Sequence, residues 1–426
     1  MNKKELDVIL ISLIGKGKKV KEDTKGYQKT KYQFPDNNRT VSDETAFFGK
    51  ELFKYLKGNL KLNVEKWIIF GTSTSCWSEI IELIGRDADE KLENLYYKVF
   101  EEEDNEDGVS KSTLKEWEDA IGKCLGESRL HFIDVNPTEY SSFVNTLMEV
   151  IPEDKEYKIV LDLTHGYRHM PFVISFSLTY LANFKKIKEI EVYYGAFEMA
   201  PKSEIKPVLK IDLINELYSL STAYNMYEKL GYFSLFLENI GIKNSHNVYF
   251  KLEMNRQLKK SLQKLTEQLN EKEKDVELYL KEPIKKIRED LDSLTNLKYL
   301  DERMVKRAMF YFEKKQYLKS LILLYEAIII LAGRFYKISD YLNYEEREKI
   351  RKKIKAETMR RNSWLFFQNN EEGNLFNNLE YVRNSAVHGS NSKSNQEYLE
   401  NCANFQDLFL QCVNLYNKLK KRVDER

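Results

Sequence analysis

Short continuous runs of apolar and β-branched residues recur through the first 200 residues, at Val8 to Ile14, Trp67 to Phe70, His131 to Val135, Lys158 to Leu163 and Glu189 to Tyr194, with helix-compatible stretches between them. Few folds accept that order. Strand and helix alternating in this way build βαβ units. The runs are continuous in hydrophobicity instead of alternating, which is the pattern of strands covered on both faces. A mostly parallel sheet in a doubly wound, Rossmann-like α/β domain is therefore expected. In such folds ligands bind at the carboxyl ends of the strands.

After about residue 206 the strand signals cease. Amphipathic helices are expected at Ile211 to Leu230, Lys251 to Leu269 and Glu273 to Leu294, the last kinked or split at Pro283. Further helices follow at Asp301 to Tyr336, Tyr344 to Phe367, Leu375 to Val387 and Gln396 to Val423, with breaks at Gly373-Asn374 and from Gly389 to Asn395. The chain has only 17 Gly and 7 Pro in 426 residues, so an all-β fold is excluded and helix should dominate. The reading is an α/β domain over residues 1–205, a helical connector over 206–300 and an all-α domain over 301–426.

Charge divides the chain unequally. Residues 301–426 hold 23 Lys and Arg against 17 Asp and Glu, although the whole chain is nearly neutral at +1. A polyanion would be drawn to the last third. Arg351, Lys352, Lys353, Lys355, Arg360 and Arg361 concentrate that charge, either to guide a polyanion or simply as a solvated helix face. The four cysteines form no C-x-x-C pair and the five histidines no zinc-ligand spacing, so no metal centre is expected and a reducing, cytosolic setting fits. The apolar run after Met1 reads as a first strand and not a signal peptide, and Leu318 to Ala332, interrupted by Lys319 and Glu326, is too short and too polar to span a membrane.

Three expected strand ends carry turn chemistry: Gly15-Lys16-Gly17-Lys18, Gly71-Thr72-Ser73-Thr74-Ser75, and Asp162-Leu163-Thr164-His165-Gly166-Tyr167-Arg168 with Pro171 placed to open a helix. Small residues let backbone approach a phosphate, and Lys16, Lys18, His165 and Arg168 offer positive charge. Gly and Ser at such turns also serve plain geometry. Neither G-x-G-x-x-G nor G-x-x-x-x-G-K-[ST] occurs, which argues against a dinucleotide cofactor or an NTPase.

A second constellation, Arg383-Asn384-Ser-Ala-Val-His388, ends an expected helix just before Gly389. Arg clamps phosphate and His moves protons near neutral pH, the two roles that cleave RNA through its own 2′-hydroxyl. The plain alternative is a pair of cations suiting a helix C-terminus. Five residues apart, the two lie about 140° around the helix, so they need not share one face, but fraying at the helix end or a second copy of the helix can bring them together.

The N-terminal strand with its Gly-x-Gly turn, then Tyr27, Thr30, Tyr32, Phe34, Glu44-Thr-Ala-Phe-Phe48 and Leu161-Asp-Leu-Thr-His-Gly-Tyr-Arg168, resemble the CARF domains of type III CRISPR accessory proteins. Arg383 to His388 resembles the R-x(4 to 6)-H motif of HEPN ribonucleases, and the order of the two matches CARF–HEPN ribonucleases of the Csx/Csm type. That resemblance implies a CARF dimer binding a cyclic oligoadenylate, cyclic tetra-adenylate by preference, which activates a HEPN pair to cleave single-stranded RNA without metal or organic cofactor. It assigns catalysis to Arg383, Asn384 and His388, and ligand binding to Gly15, Lys16, Gly71, Thr72, Ser73, Thr164, His165, Gly166 and Arg168. It implies a homodimer or a multiple of dimers, cytoplasmic and off the membrane. Slow cleavage of the activator by the CARF domain stays open, and the alternative is a non-catalytic CARF–HEPN protein that binds RNA or regulates a partner.

Overall fold

The computed structural model describes residues 6–17, 26–84, 90–125, 130–256, 258–338, 340–341, 343–359, 365–391 and 395–426. Lys18, Arg360 and Arg361 lie outside the described residues. The chain divides into two compact units, Met1–Tyr218 and Ser219–Arg426.

In the first unit the elements run β1 (Asp7–Leu13), β2 (Lys31–Gln33), α1 (Phe48–Lys54), β3 (Val64–Gly71), α2 (Glu90–Glu102), α3 (Lys111–Leu125), β4 (Leu130–Asp134), α4 (Tyr140–Val150), β5 (Tyr157–Asp162), α5 (His169–Leu181), β6 (Ile187–Gly195) and β7 (Ile205–Lys210). They form a seven-stranded sheet of order β2-β7-β6-β5-β1-β3-β4. Strands β1, β3, β4, β5 and β6 are parallel, and β7 pairs antiparallel to β6. Along β1, Val8 and Leu10 enter one core while Ile9, Ile11 and Leu13 enter another. This is why the run is apolar at every position: both faces are covered.

After β1 the chain visits the far edge as β2, comes back beside β1 as β3, steps outward to β4, then returns to the other side of β1 as β5. The ends of β1 and β5 therefore flank the point where the winding reverses, where a doubly wound fold places its ligand crevice. The sequence reading missed β2 and β7. Three residues of β2 carry no periodic signal, and β7 holds Pro207, a residue tolerated at sheet margins. The boundary expected at 205/206 thus falls at the head of a strand, and the sheet extends to Lys210.

Helix α6 (Leu213–Leu230) precedes α7 (Ser234–Asn239), α8 (Ser245–Glu253), α9 (Lys259–Lys274), α10 (Leu278–Thr295), α11 (Leu300–Glu313), α12 (Tyr317–Phe335), α13 (Tyr344–Met359), α14 (Asn370–His388), α15 (Gln396–Glu400) and α16 (Cys402–Asp424). Within the second unit, residues from Leu220 to Leu294 form one core, and α11 to α14 with α16 form another around α12, which is buried almost all round.

Several expected helices are divided or moved. Lys251 to Leu269 is interrupted near Asn255 (φ 50°), and Asp301 to Tyr336 near Lys315 (φ 57°). Both are non-glycine residues in the left-handed region, so no Gly or Pro marks the break. Gln396 to Val423 divides at Asn401, whose side chain accepts from the Ala403 and Asn404 amides. Pro283 sits inside α10 without splitting it. Gly373 does not break the chain but lies buried in the first turn of α14, whose N-cap is Asn369.

Candidate functional site

At the crevice, the loop after β1 meets the loop after β5. A Cβ built on Gly15 would stand 2.8 Å from the Gly166 Cα, so the two backbones touch where side chains would hold them apart. Gly166 has φ +92°, a conformation that suits glycine. Tyr27 fastens the first loop: its hydroxyl accepts from the Gly15 amide (2.6 Å) and donates to the Gly15 carbonyl (2.7 Å). Burial raises the Tyr27 pKa well above its usual value, so the phenol keeps the proton it donates.

The Tyr27 ring lies 4.1 Å, centroid to centroid, from His165. His165 Nε2 accepts from the Phe48 amide at the start of α1 (3.2 Å), and burial lowers its pKa to about 3. His165 is therefore a neutral ring with its proton on Nδ1, not the phosphate-neutralising cation expected from the sequence. Thr164 Oγ1 accepts from the Gly195 amide (2.9 Å), and its own amide donates to Asp162 Oδ1 (2.8 Å). Asp162 is fully buried, its Oδ2 has no partner, and burial raises its pKa to about 6. Lys16 and Arg168 are exposed, and neither bonds to a described residue. Among the described residues of these two loops they are free positive charges.

The loop after β3 is tied into the scaffold. Gly71 leaves room for Trp77, with which a Cβ would collide at 2.5 Å. The Thr72 amide donates to Ser75 Oγ (2.8 Å), its carbonyl accepts from Trp77 Nε1 (2.9 Å), and the Ser73 carbonyl accepts from Val109 (2.8 Å). Ser75 Oγ donates to the Ile14 carbonyl, and Cys76 Sγ accepts from the Gly17 amide (2.9 Å), so this loop braces the first one. Sequence reasoning placed Tyr27 in a resemblance motif without giving it this work. Asp162 and Cys76 bore no signal that distinguished them from neighbours.

In the second unit, α14 ends at His388, and Gly389 (φ 63°) closes it in the left-handed conformation. Arg383 turns inward. Its guanidinium lies 5.2 Å from the Tyr325 ring centroid, its Nη1 donates to Asn384 Oδ1 (2.8 Å), its Nη2 is 4.0 Å from Glu326 Oε1, and its Nε is buried without an acceptor. Glu326, buried on α12, also pairs with Arg347 (3.1 Å) and Arg351 (2.9 Å) of α13. One carboxylate thus gathers three guanidinium groups from two other helices, a cluster of net positive charge suited to phosphate. His388 is exposed, on a face shared with Tyr381. Arg383 turns toward α12 whereas His388, five residues on, is exposed at the helix end.

Glu326 is the residue the sequence hid, because it reads there as an interruption in an apolar run. Arg351, counted in the basic cluster, is drawn into this site and also pairs with Glu348 (2.6 Å), whereas Lys352, Lys353 and Lys355 stay exposed. Among the described residues no group of His, Cys, Asp and Glu converges as metal ligands, and no helix is long and apolar enough to cross a membrane.

Residues 9–199 match the family model described as CRISPR system endoribonuclease Csx1, CARF domain. The CRISPR-associated protein MJ1674 of Methanocaldococcus jannaschii is 25% identical over 376 residues, which cover 79% of this chain and 56% of that protein. The chain therefore spans little more than half the length of that relative. Among solved structures, Enterococcus italicus Csm6 bound to cyclic hexa-2′-fluoro-hexa-dAMP is similar over 98% of this chain and 94% of its own, at 12% identity and a TM-score of 0.38.

Proposed function

From a chain that carries a CARF domain of the kind found in type III CRISPR accessory proteins, we propose an endoribonuclease switched on by a cyclic oligoadenylate. The observation that carries the sensor half is the contact of the Gly15 and Gly166 loops at the winding reversal, with Lys16 and Arg168 free beside it. Bare backbone and unpaired cations suit a ligand made of phosphates and flat bases. Cyclic tetra-adenylate, with its two-fold axis, fits a symmetric pair of such crevices.

A pair is supported by α5, which starts directly after Arg168. Phe172, Phe176, Tyr180 and Phe184 repeat every fourth residue along it and just beyond, and they are 65%, 63%, 56% and 58% exposed. An aromatic stripe of this length on a helix that begins at the ligand loop suits a second copy of the same helix.

For the nuclease half, two copies of α14 across a two-fold axis supply two Arg383 and two His388. One His388 takes the proton of the ribose 2′-hydroxyl, and the 2′-oxygen attacks phosphorus while arginine holds the phosphoryl oxygens. The bond to the 5′-oxygen breaks, and the second histidine protonates that leaving group. The products are a 2′,3′-cyclic phosphate and a 5′-hydroxyl. The chemistry requires no metal.

The test is cleavage of a fluorescent single-stranded RNA with cyclic tetra-adenylate and cyclic hexa-adenylate side by side, in excess EDTA. Activation by the tetramer with cyclic-phosphate ends supports the reading. RNA that binds but stays intact under both activators would favour a regulatory, non-catalytic protein.

A further inference from the structure

Helices α10 and α11, with the end of α6 and the chain at Phe233 and Leu252, enclose a cavity of about 310 Å³ in the second unit. That volume suits a mononucleotide-sized ligand. Arg307 lines it and is only 7% exposed. Its Nη1 donates to Asn255 Oδ1 (2.9 Å) and its Nη2 to the Leu252 carbonyl, both neutral oxygens, while its Nε is buried without an acceptor. Among the described residues no carboxylate pairs with it. The adjacent Glu253 accepts from the Tyr311 hydroxyl (2.7 Å) and pairs with Lys319. Among the described residues Arg307 thus has no carboxylate in contact, only the more distant charge of Glu253 and the Tyr311 hydroxyl, and a buried cation so incompletely compensated costs free energy unless an anion joins it.

The rest of the wall suits an anion with a flat body. Lys314 lies over the rings of Tyr227 (5.1 Å) and Phe310 (4.7 Å), and Lys286 and Lys306 add positive charge. Glu228, Asp290 and Glu313 also line the cavity. Glu228 accepts from the Tyr224 hydroxyl (2.9 Å), Asp290 accepts from the Tyr227 hydroxyl and lies 3.9 Å from Lys286, and Glu313 is exposed, so none of the three pairs with Arg307.

We propose that this cavity binds a small oxyanion, a single phosphate or carboxylate on a flat organic body, with Arg307 as its counter-ion. The lining of this cavity shares no residue with the sheet-edge loops or with α14, and its occupant would bridge the connector helices to α11. It stands whether or not the chain is a ribonuclease.

The experiment is calorimetry on the full chain with adenosine monophosphate, benzoate and inorganic phosphate as probes, in saturating cyclic tetra-adenylate. Adenosine monophosphate or benzoate should bind more tightly than inorganic phosphate, and the stronger of the two identifies the oxyanion. Arg307→Lys, which keeps the charge but loses the fork, should weaken binding about tenfold or more. Ser293→Phe, which fills the cavity from its wall, should abolish it. Circular dichroism establishes that each variant is folded, and the filled cavity decides the matter if Arg307→Lys does not fold. Absence of binding by all three probes at millimolar concentration, or binding undiminished in Ser293→Phe, would overturn the proposal.

Discussion

Gly15 and Gly166, on loops that leave two adjacent parallel strands, are in backbone contact: a Cβ on the first would lie 2.8 Å from the Cα and 2.9 Å from the nitrogen of the second. Neither loop can move without the other, so the crevice behaves as one surface. Gly15→Ala forces the loops apart, because its neighbour is backbone and cannot rotate away. Overpacking of this kind costs about 1–3 kcal/mol. A thermal melt should show a lower midpoint, and a titration should show a higher activator requirement with cleavage retained at saturation. A variant matching wild type in both would mean the contact is not rigid.

Removing the His388 imidazole deletes the proposed proton carrier and nothing that holds the fold, since the side chain is exposed at a helix end. His388→Ala should lower the single-turnover cleavage rate by about 10²- to 10⁴-fold with activator binding unchanged. Full activity in that variant places the chemistry elsewhere.

Arg383 faces α12 while His388 faces outward, so activity should belong to a pair of chains. When wild type is mixed with chains carrying Arg383→Ala and His388→Ala and exchange is complete, a shared site gives activity proportional to the square of the wild-type fraction. Equal mixing then leaves about one quarter of the activity, against about one half for independent sites. A straight line, with exchange verified by tagged subunits, refutes the composite site.

Glu326 should act as a positioning residue. Glu326→Gln removes the charge that gathers Arg347, Arg351 and Arg383, leaving three half-buried guanidinium groups to repel one another. Catalysis at saturating RNA should fall about tenfold, and Glu326→Asp should recover part of it. If both variants merely lower the melting midpoint, the cluster is structural.

Buried Asp162 and half-buried His165 beside the crevice give opposite pH dependences. Asp162 has its pKa raised from 3.8 to about 6, so the folded state holds its proton more tightly, and the stability it contributes at low pH is lost as pH rises from about 4 to 6. Asp162→Asn should therefore be more stable than wild type above pH 6, by about 3 kcal/mol at most, with the difference vanishing below pH 4. His165, lowered from 6.5 to about 3, works the other way: the folded state excludes its proton, and stability is lost as pH falls below 6.5. His165→Gln should flatten that acid limb in denaturant titrations at stepped pH. A wild-type-like limb would mean that His165 titrates normally.

By itself the sequence determined what local physics can carry. Continuous apolar runs announced strands covered on both faces, scarce Gly and Pro announced helix, and Gly389 after Arg383 to His388 announced the end of α14. These are signals of a few residues, written in period and turn chemistry. Only tertiary structure decided which polar groups meet. Glu326 collects arginines from two other helices, the Tyr27 and His165 rings meet from loops far apart in the chain, and β2 finds β7 through pairing that its three residues do not encode. Tertiary burial likewise made His165 neutral and left the Arg307 Nε without an acceptor. Charge state and partnership depend on the dielectric and on neighbours far away in the chain, and no window of sequence contains either.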